Sequence, residues 1–303
     1  MKNYIIFDTH CDTAEKILSK TNKRIEASPD MMNHYHHFAQ FFASFISDRY
    51  YENPLIRTLE LINTIYNLAG KYDMNICTDI YDLKKSWKKN KTAAFISVED
   101  ACAVKNIEIL EILYSLGVRM MSLTHNNTNH LGGGALGEGG LSDLGKSVVL
   151  KMNELGMILD VSHSNEKTFF DICKSTNFPI VASHSNSYTI CKNPRNLKDS
   201  QFEEIRRLGG VCGICYYPPF LSEKEVATID DIILHIEYFL SLGGEDNICL
   251  GSDFDGVDYL PDGLNNVDEV YKILNLLAKK GVSNDIIEKI AYKNIMRVLC
   301  ICL

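Results

Sequence analysis

Histidines and carboxylates recur in this sequence where short apolar runs end. His10 and Asp12 follow "YIIFD", Glu99 follows "AAFISV", His125 follows "VRMMSLT", and Asp253 and Asp255 lie in "GSDFDG" after "NICL". The tetrapeptide Ser-His-Ser-Asn occurs twice, at 162–165 after "MILDV" and at 183–186 after "PIVA", and presents His163 and His184 in the same setting. These residue types share one chemistry. Imidazole and carboxylate both ligate zinc, and a carboxylate can bridge two ions. His10 and Asp12 are two apart, so an extended strand points them to one side. Three histidines and two or three carboxylates brought together would make a site for one or two zinc-like ions. A pair of ions about 3.5–4 Å apart would hold a hydroxide between them and aim it at a carbonyl. Each residue alone has a plainer reading, since a lone histidine is usually structural and a lone aspartate after a strand usually caps a helix. Chance and capping do not choose histidine at four such ends.

Such convergence requires elements that end at one place. Candidate strands are 4–8, 40–46, 92–98, 118–123, 157–162, 179–183, 210–215 and 247–252, with 74–78 as an additional short one. They are near-continuous apolar runs, as expected of parallel strands buried on both faces. Stretches with apolar residues at helical spacing alternate with them, among them 53–69, 107–117, 141–156, 165–175, 200–210, 229–244, 267–281 and 284–300. Ser200 and Glu203 have capping-box spacing, and Gly209 and Gly210 stop that helix. Eight strands, nearly all followed by a helix, predict an α/β fold of the (β/α)8 TIM-barrel type, with residues 1–303 as a single domain. A doubly wound sheet would more often carry a glycine-rich turn after its first strand, and "DTHCDT" has none. In a barrel, the carboxyl rim of the strands is where the residues above would meet.

The chain has 303 residues, 46% hydrophobic and 23% charged, ordinary for a globular enzyme. A formal charge of −8 argues against nucleic acid as the main partner. No apolar run is long enough to span a membrane, and no secretory signal precedes the first strand. Ten irregularly spaced cysteines then read as reduced thiols in a cytoplasmic protein.

From about residue 4 to residue 256 the chain resembles the membrane dipeptidase (renal dipeptidase) family of zinc peptidases, a branch of the amidohydrolase-like barrels. The resemblance is carried by "DTHCDT", "ISVEDA", "LTHNNTN", "LDVSHSN", "PIVASHSNSYTICKNPRNL" and "GSDFDG". It implies two zinc ions per subunit, His10 and Asp12 on one, His163 and His184 on the other, and Glu99 bridging both. It implies that Asp253 takes the proton of the attacking water and passes it to the leaving amine. His125 would polarise the scissile carbonyl or hold its oxyanion, and Arg195 would contact the carboxylate side of the substrate. The implied reaction is hydrolysis of the single bond of a free dipeptide by a metal-bridging hydroxide, with a D-residue tolerated at the C-terminal position, in a homodimer. The alternative is a related metal-dependent hydrolase of another amide, lactone or phosphoester. The loop after His125 departs from the mammalian pattern, Tyr216 and Tyr217 sit in a segment that varies between subfamilies, and these positions would shape the pocket.

Other motifs carry plainer expectations. Cys212 and Cys215 have thioredoxin-like spacing but face opposite sides of a strand. Cys11 points away from its neighbours His10 and Asp12, into the core. His34, His36 and His37 fall in a polar connection before the second strand, in a loop or at the substrate rim. His130 is a candidate for the pocket mouth, and His235 reads as a half-buried structural residue. The run 84–91, "KKSWKKNK", reads as a solvated turn, and the glycine cluster 132–140 as a mobile loop.

Overall fold

The computed structural model describes residues 2–20 and 24–303. Nine parallel strands follow in order: β1 (Lys2–Cys11), β2 (Tyr35–Phe45), β3 (Asn75–Ile76), β4 (Ala93–Glu99), β5 (Val118–Ser122), β6 (Ile158–Asp160), β7 (Ile180–Ala182), β8 (Val211–Ile214) and β9 (Ile248–Leu250). Their hydrogen-bonded order is β2-β1-β9-β8-β7-β6-β5-β4, and β4 pairs back onto β2. Eight strands thus close into a ring, with the two-residue β3 paired to the start of β4. Closure selects the (β/α)8 barrel and excludes the open doubly wound sheet.

One side chain from each barrel strand fills the interior: Phe7, Phe41, Phe95, Met120, Ile158, Val181, Val211 and Cys249 belong to one buried cluster. Phe7, Phe41 and Phe95 stack around each other with centroids 5.1–5.8 Å apart. Full burial of each such ring is worth roughly 1.5–3 kcal/mol. Trp87, Ile295, Val298 and Leu299 join the same cluster and plug the amino end of the barrel. Toward the carboxyl end the interior narrows. A Cβ on Gly251 would stand 1.9 Å from the Ser183 carbonyl oxygen, so only glycine fits there.

Helices Pro54–Lys71, Ile107–Ser115, Asp143–Leu155, Glu166–Ser175, Asp199–Arg207, Ile229–Ser241 and Tyr271–Lys279 lie where the apolar spacing predicts them. The closing stretch is broken: helix Asn284–Glu288 passes through a π turn, Lys289–Lys293, into helix Asn294–Cys302. Helix Asp199–Arg207 starts earlier than the Ser200–Glu203 spacing suggests. Its N-cap is Lys198, whose N–H donates to Gln201 Oε1 at 3.0 Å. Only the end of the basic run, at Lys89 and Asn90, is the expected solvated turn. The first half of the run ends helix Ile80–Lys88, capped by Asp79, and buried Trp87 donates from Nε1 to the Phe38 carbonyl at 3.0 Å. Strand β2 begins five residues before the predicted 40, and so takes in His36 and His37.

His235 is fully buried rather than half-buried. It sits on helix Ile229–Ser241, accepts from the Ser187 N–H through Nδ1 at 3.1 Å and donates from Nε2 to the Leu221 carbonyl at 3.0 Å. It thereby ties together the connections that follow β7 and β8. Burial lowers its pKa to about 4. The unfolded chain binds this proton more readily, so the stability His235 contributes is complete above about pH 6.5 and is lost as pH falls toward 4. In the metal-free protein, denaturant titrations should show the stability difference between wild type and His235→Gln shrinking by on the order of 2–3 kcal/mol across that window. A difference independent of pH would mean the imidazole is not held neutral by the fold.

Candidate metal centre

The carboxyl ends of the strands gather the predicted residues. Glu99, the last residue of β4, is buried at the centre. Its Oε1 lies 2.8 Å from His163 Nε2, 3.6 Å from His184 Nε2 and 3.9 Å from His125 Nε2, and its Oε2 lies 3.2 Å from His10 Nε2. His10 Nε2 also stands 3.7 Å from Asp12 Oδ2 and 3.8 Å from Asp253 Oδ1. Three overlapping groups have ligand atoms within 4.8 Å of one another: His10, Glu99 and His184; Glu99, His125 and His163; His10, Asp12 and Asp253.

A local irregularity in β1 makes this possible. Phe7 fills the barrel interior, whereas Cys11 lies in the outer core, as its expected role requires. Strict alternation would put residues four apart on one face. The pairing register shifts between Asp8 and Cys11, which supplies the missing step and lets His10 and Asp12 share the site. His163 and Asp253 adopt φ of 66° and 61°, uncommon for residues with a Cβ and kept only where surroundings impose them.

The two Ser-His-Ser-Asn copies interlock. Ser162 Oγ lies 3.3 Å from Ser183 Oγ and accepts the His184 N–H at 3.1 Å. Asp160, buried beneath both, accepts the Ser162 N–H at 2.9 Å, the Ser183 N–H at 3.0 Å and the Ser183 hydroxyl at 2.5 Å. That hydroxyl in turn takes Nδ1–H of His184 at 2.8 Å, leaving Nε2 toward the centre. Asp8 repeats the device, accepting the N–H groups of His10 and Ser252 and so tying β1 to β9. Arg195, also buried, donates to the His184 carbonyl at 3.2 Å and lies 5.3 Å from the Phe220 ring centroid.

The electrostatics fit cations. His10 Nε2, Glu99 Oε2 and Asp12 Oδ1 are buried with no hydrogen-bond partner among the described residues. Burial, reinforced by Asp12, raises the pKa of Glu99 despite the opposing pull of His10. Asp253 is raised by burial and by Asp12 and Glu99. Burial acts against a charged His10, but Glu99 and Asp12 outweigh it and hold its pKa well above the ordinary value. Burial, then Arg195 or neighbouring imidazoles, holds His163 and His184 well below it, favouring the neutral form that ligates metal. The raised His10 marks where the two carboxylates stabilise positive charge, a role an ion would take over on displacing its proton. His10, Asp12, Glu99, His163 and His184 therefore bring together the donor types and burial of a metal centre, with unsatisfied atoms on His10, Asp12 and Glu99.

The centre opens into a cavity of about 180 Å³, with Asp12, Glu99, His125, His163, His184 and Asp253 on its polar side and Phe45, Tyr217, Phe220 and Val257 as its apolar wall. The structure places the remaining candidates and corrects some of the expectations. Tyr216 is fully buried against Phe254 and does not line the cavity, unlike Tyr217. His36 and His37 lie at the amino end of β2, opposite the rim, with His37 stacked on Trp87 at 5.2 Å; His34 contacts Asp268 at 2.9 Å. His130 is occupied by the Val104 carbonyl at 2.7 Å. Asp255 accepts from Lys16, Thr13 and the N–H groups of Glu26 and Ala27, which makes it the anchor of the 24–28 segment and leaves Asp253 facing the centre. Cys212 donates to the Ser185 carbonyl, while Cys215 reaches Asp253 Oδ2 at 3.6 Å. Residue type and spacing assign no site role to Asp8, Asp160, Ser183, Asn126 or Cys215, although the aspartate ahead of the histidine in "DTH" and "DVSH" is a usable signal.

A closed parallel barrel that buries imidazoles and carboxylates with unsatisfied ligand atoms at its carboxyl rim defines a metal-dependent hydrolase. The family profile described as "Membrane dipeptidase (Peptidase family M19)" matches residues 1–301. The chain belongs to this family of metal-dependent peptidases. It is 33% identical over 256 residues to "Uncharacterized dipeptidase C965.12" of Schizosaccharomyces pombe, covering 80% of this chain but 61% of that relative, so it spans about three-fifths of that protein's length. It is also 33% identical to "Uncharacterized protein in pqqA 5'region" of Klebsiella pneumoniae, over 78% of this chain and 90% of that one. Among solved structures, a metallopeptidase from Rhodobacter sphaeroides liganded with a phosphinate mimic of L-Ala-D-Ala has the same fold, with TM-score 0.91, 21% identity and both chains fully covered. An amidohydrolase from Pseudomonas aeruginosa aligns with TM-score 0.87 and 25% identity, over 98% of this chain and 96% of that one.

Ser183→Ala removes the acceptor that holds His184. Zinc affinity, measured by competition with a chromophoric chelator, should fall by about 10- to 100-fold. Unchanged affinity would mean that the hydroxyl does not orient the imidazole.

Proposed function

We propose that the protein is a binuclear zinc dipeptidase that hydrolyses the one peptide bond of free dipeptides. The observation that carries this reading is the convergence of His10, Asp12, Glu99, His163 and His184 on one buried point beside a small cavity. When bound, such ions activate water as a nucleophile at neutral pH and act as Lewis acids toward a carbonyl.

The chain's own groups divide the remaining work. Asp253, held by burial above the usual carboxylate range, can take a proton from water and return it to the leaving amine. His125 is kept neutral, its pKa lowered to about 4 by burial and then by Arg195. It remains partly exposed, so a ring N–H can stabilise charge developing on the carbonyl oxygen. Arg195 carries a planar fork suited to the free carboxylate of the substrate. The cavity is smaller than the roughly 300–1,000 Å³ typical of sites for drug-sized ligands, which favours dipeptides with small side chains. The L-Ala-D-Ala mimic bound by the Rhodobacter relative supports the same substrate class here, with a D-residue at the C-terminal position. The reading extends to a single barrel domain, a homodimer and a cytoplasmic setting. Among the described residues no helix is long and apolar enough to cross a membrane.

With zinc present, purified protein should release alanine from L-Ala-D-Ala, and chelation or His184→Ala should lower kcat/KM by about two orders of magnitude or more. Zinc uptake without release of alanine would move the substrate to another amide, lactone or phosphoester. Arg195→Ala should raise KM for dipeptides by about tenfold or more, with zinc content measured in parallel because Arg195 also touches the His184 carbonyl. An unchanged KM would remove Arg195 from substrate recognition.

A further inference from the structure

The glycine cluster 132–140, expected to be mobile, is held by a dense set of bonds. Asn129 Oδ1 accepts the N–H groups of Leu131 and Gly132, and Thr128 Oγ1 bonds both ways with the backbone of Glu138. Asn165, two residues after His163, donates from Nδ2 to the carbonyls of Gly137 and Gly139, and Gly134 forms a bridge to Ser164. The Leu136 N–H donates to the Asn126 carbonyl at 2.8 Å. A Cβ on Gly134 would stand 2.0 Å from the His125 carbonyl oxygen and 2.6 Å from the Asn126 carbonyl carbon, so the loop lies directly on the two residues that follow strand β5 and its short exit. The residue pressed into place is Asn126, whose Oδ1 lies 2.9 Å from Nδ1 of His163.

We propose that this loop is a positioning device: it holds Asn126 so that the amide oxygen accepts Nδ1–H of His163, fixing the tautomer and turning Nε2 to the metal centre. His184 is held differently, by a hydroxyl backed by the Asp160 carboxylate. Asn126 is thus a positioning residue for one metal-site histidine, and its side chain reaches it only because glycine lets the loop pack this closely. The inference rests on the two-ion reading of the site.

The test compares zinc binding to wild type, Asn126→Leu, Asn126→Asp and Gly134→Ala, using stepwise competition with a chelator and metal content per chain, with melting of the metal-free proteins alongside. Asn126→Leu has similar size but no acceptor, and affinity for one of the two ions should fall by about 10- to 100-fold. Asn126→Asp keeps the acceptor and should retain both ions, while Gly134→Ala should resemble Asn126→Leu. Undiminished binding of both ions by Asn126→Leu would overturn the proposal, as would equal losses in the leucine and aspartate variants, which would mark a merely structural role. Wild type that binds no zinc would instead overturn the two-ion reading itself.

Discussion

A carboxylate buried among imidazoles is the constraint on which this structure turns. Glu99 ends a strand whose every residue is buried, and His10, His125, His163 and His184 all come within 4 Å of it. A buried charge without compensation is strongly unfavourable, and so are neutral ring nitrogens facing one another without a partner. Two imidazole nitrogens, on His163 and His184, stand 2.8 Å apart. The arrangement is stable as a cradle for positive charge, and it needs a scaffold stiff enough to hold groups that would otherwise move apart or take up water.

That stiffness comes from aspartates that do no chemistry. Asp8 and Asp160 each accept backbone N–H groups from two neighbouring strand ends and so fix the spacing of the rim. Asp255 does the same for the segment at Glu26 and Ala27. Each is a charge-assisted acceptor satisfied several times over, which is how a buried carboxylate is tolerated. Below them the aromatic interior of the barrel resists compression, so the rim cannot relax inward.

The chemistry is then graded by environment. Asp12, Glu99, His163 and His184, proposed as ligands, line the cavity together with Asp253 and His125. The last two, proposed to handle protons and developing charge, have the more exposed side chains. The apolar wall of Phe45, Tyr217, Phe220 and Val257 limits both ligand size and water access.

Much of this was legible in the sequence. Strands and helices appear there because their signal is local, an apolar run or an apolar period. Seven of the eight proposed site residues appear there because histidine and carboxylate are conspicuous after apolar runs; Arg195, in "CKNPRNL", is carried by the resemblance alone. Asp253 is favoured over Asp255 because it is nearer the strand end, but what occupies Asp255 is invisible in the sequence, since its partners lie more than two hundred positions away in the chain. What only the tertiary structure decided shares that character. The register shift in β1, the reach of β2 back through His36 and His37, the service of Ser183 and Asn126 to two histidines, and the packing of the glycine loop all depend on what sits across from each residue. Residue type and spacing determine which groups can ligate; the closing of the barrel determines which of them meet, and which neighbours hold them there.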